Sequence, residues 1–103
     1  MVTAKDVLLV KFLAEATETG RIKWEFTAEE NQFVTALKGK YKILLTRLGP
    51  CYMRMVDKDG KELLAISSDD YGQVADLYEL ARRVAFSVDD AIDEIVADLE
   101  TNQ

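Results

Sequence analysis

The stretch VDKDGKELL, residues 56–64, carries three acidic side chains around one glycine, a composition that could form a calcium-binding loop. An EF-hand loop takes oxygen ligands at positions 1, 3 and 5, a glycine at position 6 and a bidentate acid at position 12. Here Gly60 directly follows Asp59, and the required spacing does not continue. The spacing instead predicts a β-turn that begins at Asp57 and places Gly60 in a left-handed conformation.

Other residues that could do chemistry have structural explanations. The pairs Asp69–Asp70 and Asp89–Asp90 lie where predicted helices begin, and acids stabilise a helix N-terminus. The single cysteine, Cys51, has no basic residue or histidine beside it, which favours a small buried hydrophobe over a reactive thiol. The chain has no histidine, no glycine-rich phosphate loop and no nucleophile-elbow motif. We therefore predict no catalytic residue, no metal, no cofactor and no enzymatic activity.

The hydrophobic pattern predicts an α+β fold with an N-terminal helix, a five-stranded antiparallel meander sheet and two C-terminal helices. Thr3 and Asp6 resemble a capping box for a first helix over about residues 4–18. Strict alternation in RIKWEFT predicts a half-buried strand with Trp24 in the core. The four remaining strands are predicted in the segments QFVTALK, YKILLTR, CYMRMVD and KELLAIS.

Turn lengths predict which side chains share a face of the sheet. A three-residue connection at 38–40 places Phe33, Thr35 and Leu37 with Tyr41, Ile43 and Leu45. The turn at Asp57 pairs it with Lys61 and sets Met55 opposite Leu63. In this register a second face carries apolar residues mixed with Lys42, Arg54 and Glu62. The apolar residues expected on that second face are Val34, Ala36, Leu44, Tyr52, Val56, Leu64 and Ile66.

Two helices are predicted after the sheet. Asp70 and Gln73 resemble a capping box before a broadly apolar helix over about 71–85, and its last turn carries Arg82 and Arg83, which suit the helix dipole. Ser87 is expected to cap the final helix. The residues expected to form the buried stripe of that helix are Val88, Ile92, Ile95 and Leu99.

The charge is unevenly distributed along the chain. The whole chain has 19 acids and 13 bases, but residues 84–103 hold six acids and no base, so the net charge of −6 belongs to the last helix. Residues 21–61 carry nine bases and five acids. This polarised layout favours a basic protein partner or the opposite pole of a second copy, and makes nucleic acid an unfavourable partner for the helical side.

Length and composition predict a single domain over residues 1–103, large enough for one hydrophobic core. The first apolar stretch is cut by Lys5, Asp6, Lys11 and Glu15, which predicts neither a signal peptide nor a membrane span. We therefore expect a cytoplasmic protein that does not bind a membrane.

These features lead to the hypothesis of a small non-enzymatic protein-binding or adaptor module. It would act through the apolar second sheet face and the acidic C-terminal helix, with an unidentified protein partner. A homodimer is also expected, because one core leaves apolar surface uncovered. The residues predicted to bind the partner are Tyr52, Leu64, Leu77, Asp90, Asp93, Glu94 and Asp98.

Two alternatives use the same charge layout. The basic sheet region could bind nucleic acid, with Tyr41 or Tyr52 as stacking residues, although the acidic chain makes this unfavourable. The acidic helix could instead mimic nucleic acid and inhibit a basic enzyme. In order of elements, size and acidity the chain is similar in outline to small bacterial secretion chaperones and related adaptors, and no motif extends this resemblance to individual residues.

Overall fold

The computed structural model describes residues 1–101 and has the predicted α+β architecture. Three helices and five strands follow one another in the expected order. They are α1 (Ala4–Glu18), β1 (Glu25–Phe26), β2 (Gln32–Leu37), β3 (Tyr41–Arg47), β4 (Cys51–Asp57), β5 (Glu62–Ser67), α2 (Gln73–Ala85) and α3 (Val88–Thr101). No helix within residues 1–101 is both long and apolar enough to cross a lipid bilayer.

The five strands form one antiparallel meander in which each strand pairs with the next. The β2–β3 connection has the predicted three residues, so Phe33 lies opposite Leu45 and Leu37 lies opposite Tyr41. The first strand is much shorter than the alternating sequence predicts. It pairs with β2 only at Glu25 and Phe26, and the β2 edge beyond Val34 therefore has no partner strand in the described chain.

The hydrophobic core lies between one face of the sheet and the helices α1 and α2. One cavity is lined by Val10 of α1 and Leu77 of α2, and another is lined by Thr17 and Val84, nearer the C-terminal ends of the same helices. The two helices therefore run side by side in the same direction. The core residues are Val10, Leu13, Trp24, Phe33, Ile43, Leu45, Cys51, Met53, Ile66, Val74, Leu77, Tyr78 and Ala81. Trp24 and Cys51 are thus buried, as their sequence context predicts.

The turn at Asp57 is confirmed. Gly60 has φ +83°, and one carboxylate oxygen of Asp57 accepts hydrogen bonds from the backbone N–H groups of Asp59 and Lys61, both at 2.9 Å. These acids therefore have a structural role in shaping the turn. The backbone N–H of Asp57 also donates to the carbonyl of Lys61, as expected.

The predicted register beyond this turn is wrong by one residue. A β-bulge adds one residue to β5, so Met55 lies opposite Leu64 instead of Leu63, and Met53 lies opposite Ile66. Because side chains alternate along a strand, this single insertion moves Leu64 and Ile66 from the second face to the core face. Ile66 is buried and Leu64 packs partly buried against the core.

Two details of the helix ends also differ from expectation. Helix α2 begins at Gln73 after Gly72, without a side-chain cap, so Asp70 and Gln73 form no capping box. Ser87 has φ +52° and connects α2 to α3 in a left-handed conformation, instead of the extended conformation that is typical of an N-cap residue. A left-handed residue at this position turns the chain sharply between the two helices.

Candidate protein-interaction surfaces

Helix α3 exposes an apolar stripe that was expected to be buried. Four of its five large apolar side chains are between 44% and 59% exposed, and α3 contributes no buried residue to the molecule. We call these four side chains the α3 stripe; they are Ile92, Ile95, Val96 and Leu99. The packing of α3 is chiefly against α2, and the elongated molecule measures 53 × 27 × 24 Å. The stripe is therefore available to a second molecule.

The acids of α3 lie on both sides of this stripe. With 3.6 residues per turn, the stripe and Val88 cover an arc of about 100°. On the same geometry, Asp89, Asp93 and Glu100 flank one side of the stripe and Asp98 flanks the other, whereas Asp90 and Glu94 lie on the opposite side of the helix. The helix thus presents an apolar ridge bordered by negative charge, the arrangement of an amphipathic helix that docks in an apolar groove with basic walls.

The start of α3 is held in place by contacts with α2. The guanidinium of Arg83 forms a short ion pair with the carboxylate of Asp89, and the guanidinium of Arg82 stacks over the Phe86 ring with 5.3 Å to its centroid. Phe86 also meets Phe26 edge to face, with ring centroids 4.7 Å apart. These contacts give α3 a defined direction while leaving its stripe uncovered.

The second sheet face is the other exposed surface, and we call it the open face. None of its side chains is buried in the described chain, so no helix covers it. Its apolar members are partly exposed, and Arg54 reaches Glu62 across β4 and β5 at 3.9 Å. The residues that project from the open face are Gln32, Val34, Ala36, Lys42, Leu44, Thr46, Tyr52, Arg54, Val56, Glu62, Ala65 and Ser67.

A groove with positive charge on two sides lies at the β1 end of the open face. Arg21 and Lys23 come from the segment before β1, and Lys38 and Lys42 come from the β2–β3 hairpin. The groove has a volume of about 520 Å³ and one acidic residue, Glu25. Between the cations, its apolar lining consists of Ile22, Val34, Ala36 and Leu37. We call this cavity the basic groove.

The four cations of the basic groove have no acidic partner within residues 1–101. The ion pairs within residues 1–101 involve Arg54 and Arg83, neither of which lines the groove. In the same range, the only side-chain hydrogen bond of the four cations runs from the guanidinium of Arg21 to the Thr19 hydroxyl, at 3.2 Å. With Glu25 as its one acidic lining residue, the groove therefore keeps an excess of positive charge around its apolar lining.

The basic groove and α3 lie at the same end of the molecule. Ile22 and Lys23, which line the groove, also line a neighbouring cavity together with Ser87, Asp89 and Asp90 at the start of α3. Helix α3 thus departs from the body of the protein beside the groove.

The structure separates the residues predicted to bind a partner. Asp90, Asp93, Glu94 and Asp98 are exposed on α3, and Tyr52 lies half-buried on the open face. The two remaining residues do not belong to either surface. Leu77 is only 1% exposed in the core, because α2 packs directly on the sheet, and Leu64 faces the core because of the bulge.

Sequence reasoning missed the basic groove as a site. The cations were visible as a basic region, but their grouping depends on β1 being only two residues long, which leaves room beside β2. The exposure of the α3 stripe was also missed, because an amphipathic pattern alone does not say which molecule covers the apolar side. The absence of any base after Arg83 was the available signal that α3 stands apart from the body.

The groups with shifted pKa values lie away from both surfaces. Burial raises the pKa of the Cys51 thiol, against the opposing effect of Arg47, and burial likewise raises the pKa of the Tyr78 phenol. Both groups are therefore neutral at pH 7. Among the described residues, no three His, Cys, Asp or Glu side chains are close enough together to hold a metal ion.

Comparison of this chain with models of known protein families, with curated proteins and with solved structures finds no match.

Proposed function

We propose that this protein is a non-enzymatic protein-interaction module that binds through the acidic helix α3 and the open sheet face. The observation that carries the proposal is the exposure of the α3 stripe, since four large apolar side chains on one side of a 14-residue helix remain uncovered. A contiguous exposed apolar surface rimmed by charge is typical of an interaction site.

The mode of binding follows from the shape and charge of α3. An amphipathic helix docks by inserting its i, i+3, i+4 and i+7 side chains into an apolar groove, and Ile92, Ile95, Val96 and Leu99 have this spacing. The acids on both sides select a partner with basic walls and disfavour acidic partners. The cations of the basic groove, at the β1 end of the open face, give the protein a second surface with the opposite preference.

The proposal is tested by comparing two substitutions on opposite sides of α3. Ile95→Asp introduces a charge into the stripe, whereas Ala97→Asp introduces the same charge on the polar side. We expect complexes affinity-purified from cells that also express an untagged copy of this chain to contain a stoichiometric protein, either another protein or that copy, which Ile95→Asp loses and Ala97→Asp keeps. Equal complexes with both variants, or no complex with the wild-type chain, would contradict the role of the stripe.

A second candidate function is binding of single-stranded nucleic acid in the basic groove. Its support is the cluster of four unpaired cations. Stacking on aromatic rings contributes much of the affinity in such sites, and no aromatic side chain is among the described residues that line the groove. Retention on a polyanion resin that falls steeply with salt, and is lost in Lys42→Glu, would favour this function over protein binding.

A further inference from the structure

We infer that the partner of α3 is a second copy of this chain, and that two copies exchange their α3 helices by docking each into the basic groove of the other. This inference rests on the proposed function, because it assigns the occupant of the same two surfaces. The structure supports it through complementary charge, compatible dimensions and the position of both surfaces at one end of the molecule.

Charge complementarity is the first observation. The apolar ridge of α3 is bordered by acids, and the apolar lining of the groove is accompanied by two pairs of cations. A helix placed along the groove, with its stripe on this lining, would bring Asp93 and Glu100 toward one of the two cation pairs. The contact places acids beside cations that have no acidic partner in the described chain, while the α3 stripe covers Val34 and Ala36.

The dimensions are compatible with this docking. Helix α3 has 14 residues and is therefore about 21 Å long, and the six-residue strand β2 is about 20 Å long. Because the exchange is reciprocal, each dimer contains two such contacts. With helices roughly 10 Å across, they bury together on the order of 1,000 Å² or more, the size at which specific interfaces begin.

The position of the two surfaces allows the exchange to close. Lys23 borders both the groove and the cavity at the start of α3, so the helix departs beside its own groove. A two-fold axis near this point places the departing helix of each copy at the groove of the other. Such a symmetric contact is closed and leaves no unpaired helix or groove to propagate a chain of copies.

The test uses two double variants of the full chain with reversed charges. The helix variant carries Asp93→Lys and Glu100→Lys, both on the acidic side that borders the stripe. The groove variant carries Lys23→Glu and Lys42→Glu, one on each side of the groove. All four residues are exposed, so each variant keeps the fold, which circular dichroism verifies.

Light scattering and native mass spectrometry then report the assembly. We expect the wild-type chain to have twice the chain mass of 11.6 kDa and each variant alone to associate at least about tenfold more weakly. A mixture of the two variants restores a dimer with one copy of each, because the basic helix meets the acidic groove and the acidic helix meets the basic groove.

The other outcomes overturn the inference and identify what replaces it. A groove variant that still forms dimers would indicate pairing of α3 with α3, and a helix variant that still forms dimers would indicate pairing of the sheets. A mixture without a mixed dimer would contradict the charge contact. A monomeric wild-type chain whose cellular complexes still depend on Ile95 would refute the second copy and leave the proposed function intact.

Discussion

At the scale of single residues, the hydroxyl of Thr17 connects helix α1 to the only tryptophan. The Trp24 indole N–H donates to this hydroxyl at 2.9 Å, and the hydroxyl donates in turn to the Leu13 carbonyl at 2.7 Å. Both side chains are buried, with 3% of each exposed. A buried indole N–H needs a partner, because water cannot replace it there. The hydrogen bond therefore fixes the segment that forms one wall of the basic groove.

Replacing Thr17 tests this connection. Thr17→Val keeps the shape of the side chain and leaves the indole N–H of Trp24 without an acceptor, so we expect the free energy of unfolding to fall by about 1–3 kcal/mol. Thr17→Ser retains the hydroxyl and serves as the control, with a smaller loss. Urea denaturation followed by tryptophan fluorescence measures both values. Equal losses in the two variants would mean that the methyl group, and not the hydrogen bond, is the stabilising part.

Cys51 gives a pH dependence with a defined sign. Burial raises the pKa of the thiol in the folded state above that of the unfolded chain, which is about 8.5. The folded state therefore holds this proton to a higher pH, and the contribution of the thiol to the free energy of unfolding is constant below pH 8.5 and decreases above it. Cys51→Ala removes this contribution. If the free energy of unfolding changes equally with pH between pH 8 and pH 10 in both proteins, the thiol does not titrate as described.

At the scale of elements, the bulge in β5 determines which leucine belongs to the core. Leu64 packs inward, whereas the preceding Leu63 is 45% exposed. We expect Leu64→Ala to lower the free energy of unfolding by about 2 kcal/mol, at the low end for a buried leucine. Leu63→Ala is the matched control and should cost less than half as much. A larger loss for Leu63→Ala would place the strand in the register without a bulge.

The elements themselves could be predicted because each has a local cause. Thr3 forms its capping box with Asp6, the 38–40 connection sets the β2–β3 register, and Gly60 allows the β4–β5 turn. The bulge has no such signal, since both Leu63 and Leu64 suit a core position. Tertiary packing decides between them. Because Leu64 faces the core, it belongs to neither of the candidate binding surfaces.

The candidate surfaces were harder to predict than the elements, because exposure depends on how elements pack. The acids of α3 were identified correctly as exposed, from their charge alone. Leu77 was expected at the surface because the apolar side of α2 is broad, but the sheet and α1 together cover this broad apolar side. The α3 stripe shows the reverse error, since its periodicity resembles that of a helix in a core.

At the scale of the whole molecule, α3 and the body should differ in local stability. Helix α3 contributes no buried residue, so its backbone hydrogen bonds open without disturbing the core. We expect the amides of α3 to exchange rapidly with solvent at low protein concentration, while those of β3 and β4 remain protected. Because the proposed dimer covers the α3 stripe, protection of α3 should rise with concentration. Hydrogen exchange measured by mass spectrometry over a dilution series tests this expectation. If the α3 amides stay unprotected in the dimeric fraction, the reciprocal docking of α3 is contradicted.

Because α3 contributes no core residue, folding and binding place separate selective constraints on different parts of the described chain. Substitutions in the body are constrained by folding, whereas substitutions at Ile95 or Asp93 affect only what the helix binds. Binding specificity can therefore diverge without loss of the fold. A charge reversal on α3 carries no selective cost once the opposite reversal arises in the surface that binds the helix. After a gene duplication, very few such substitutions would be enough for each of the two proteins to bind only its own kind.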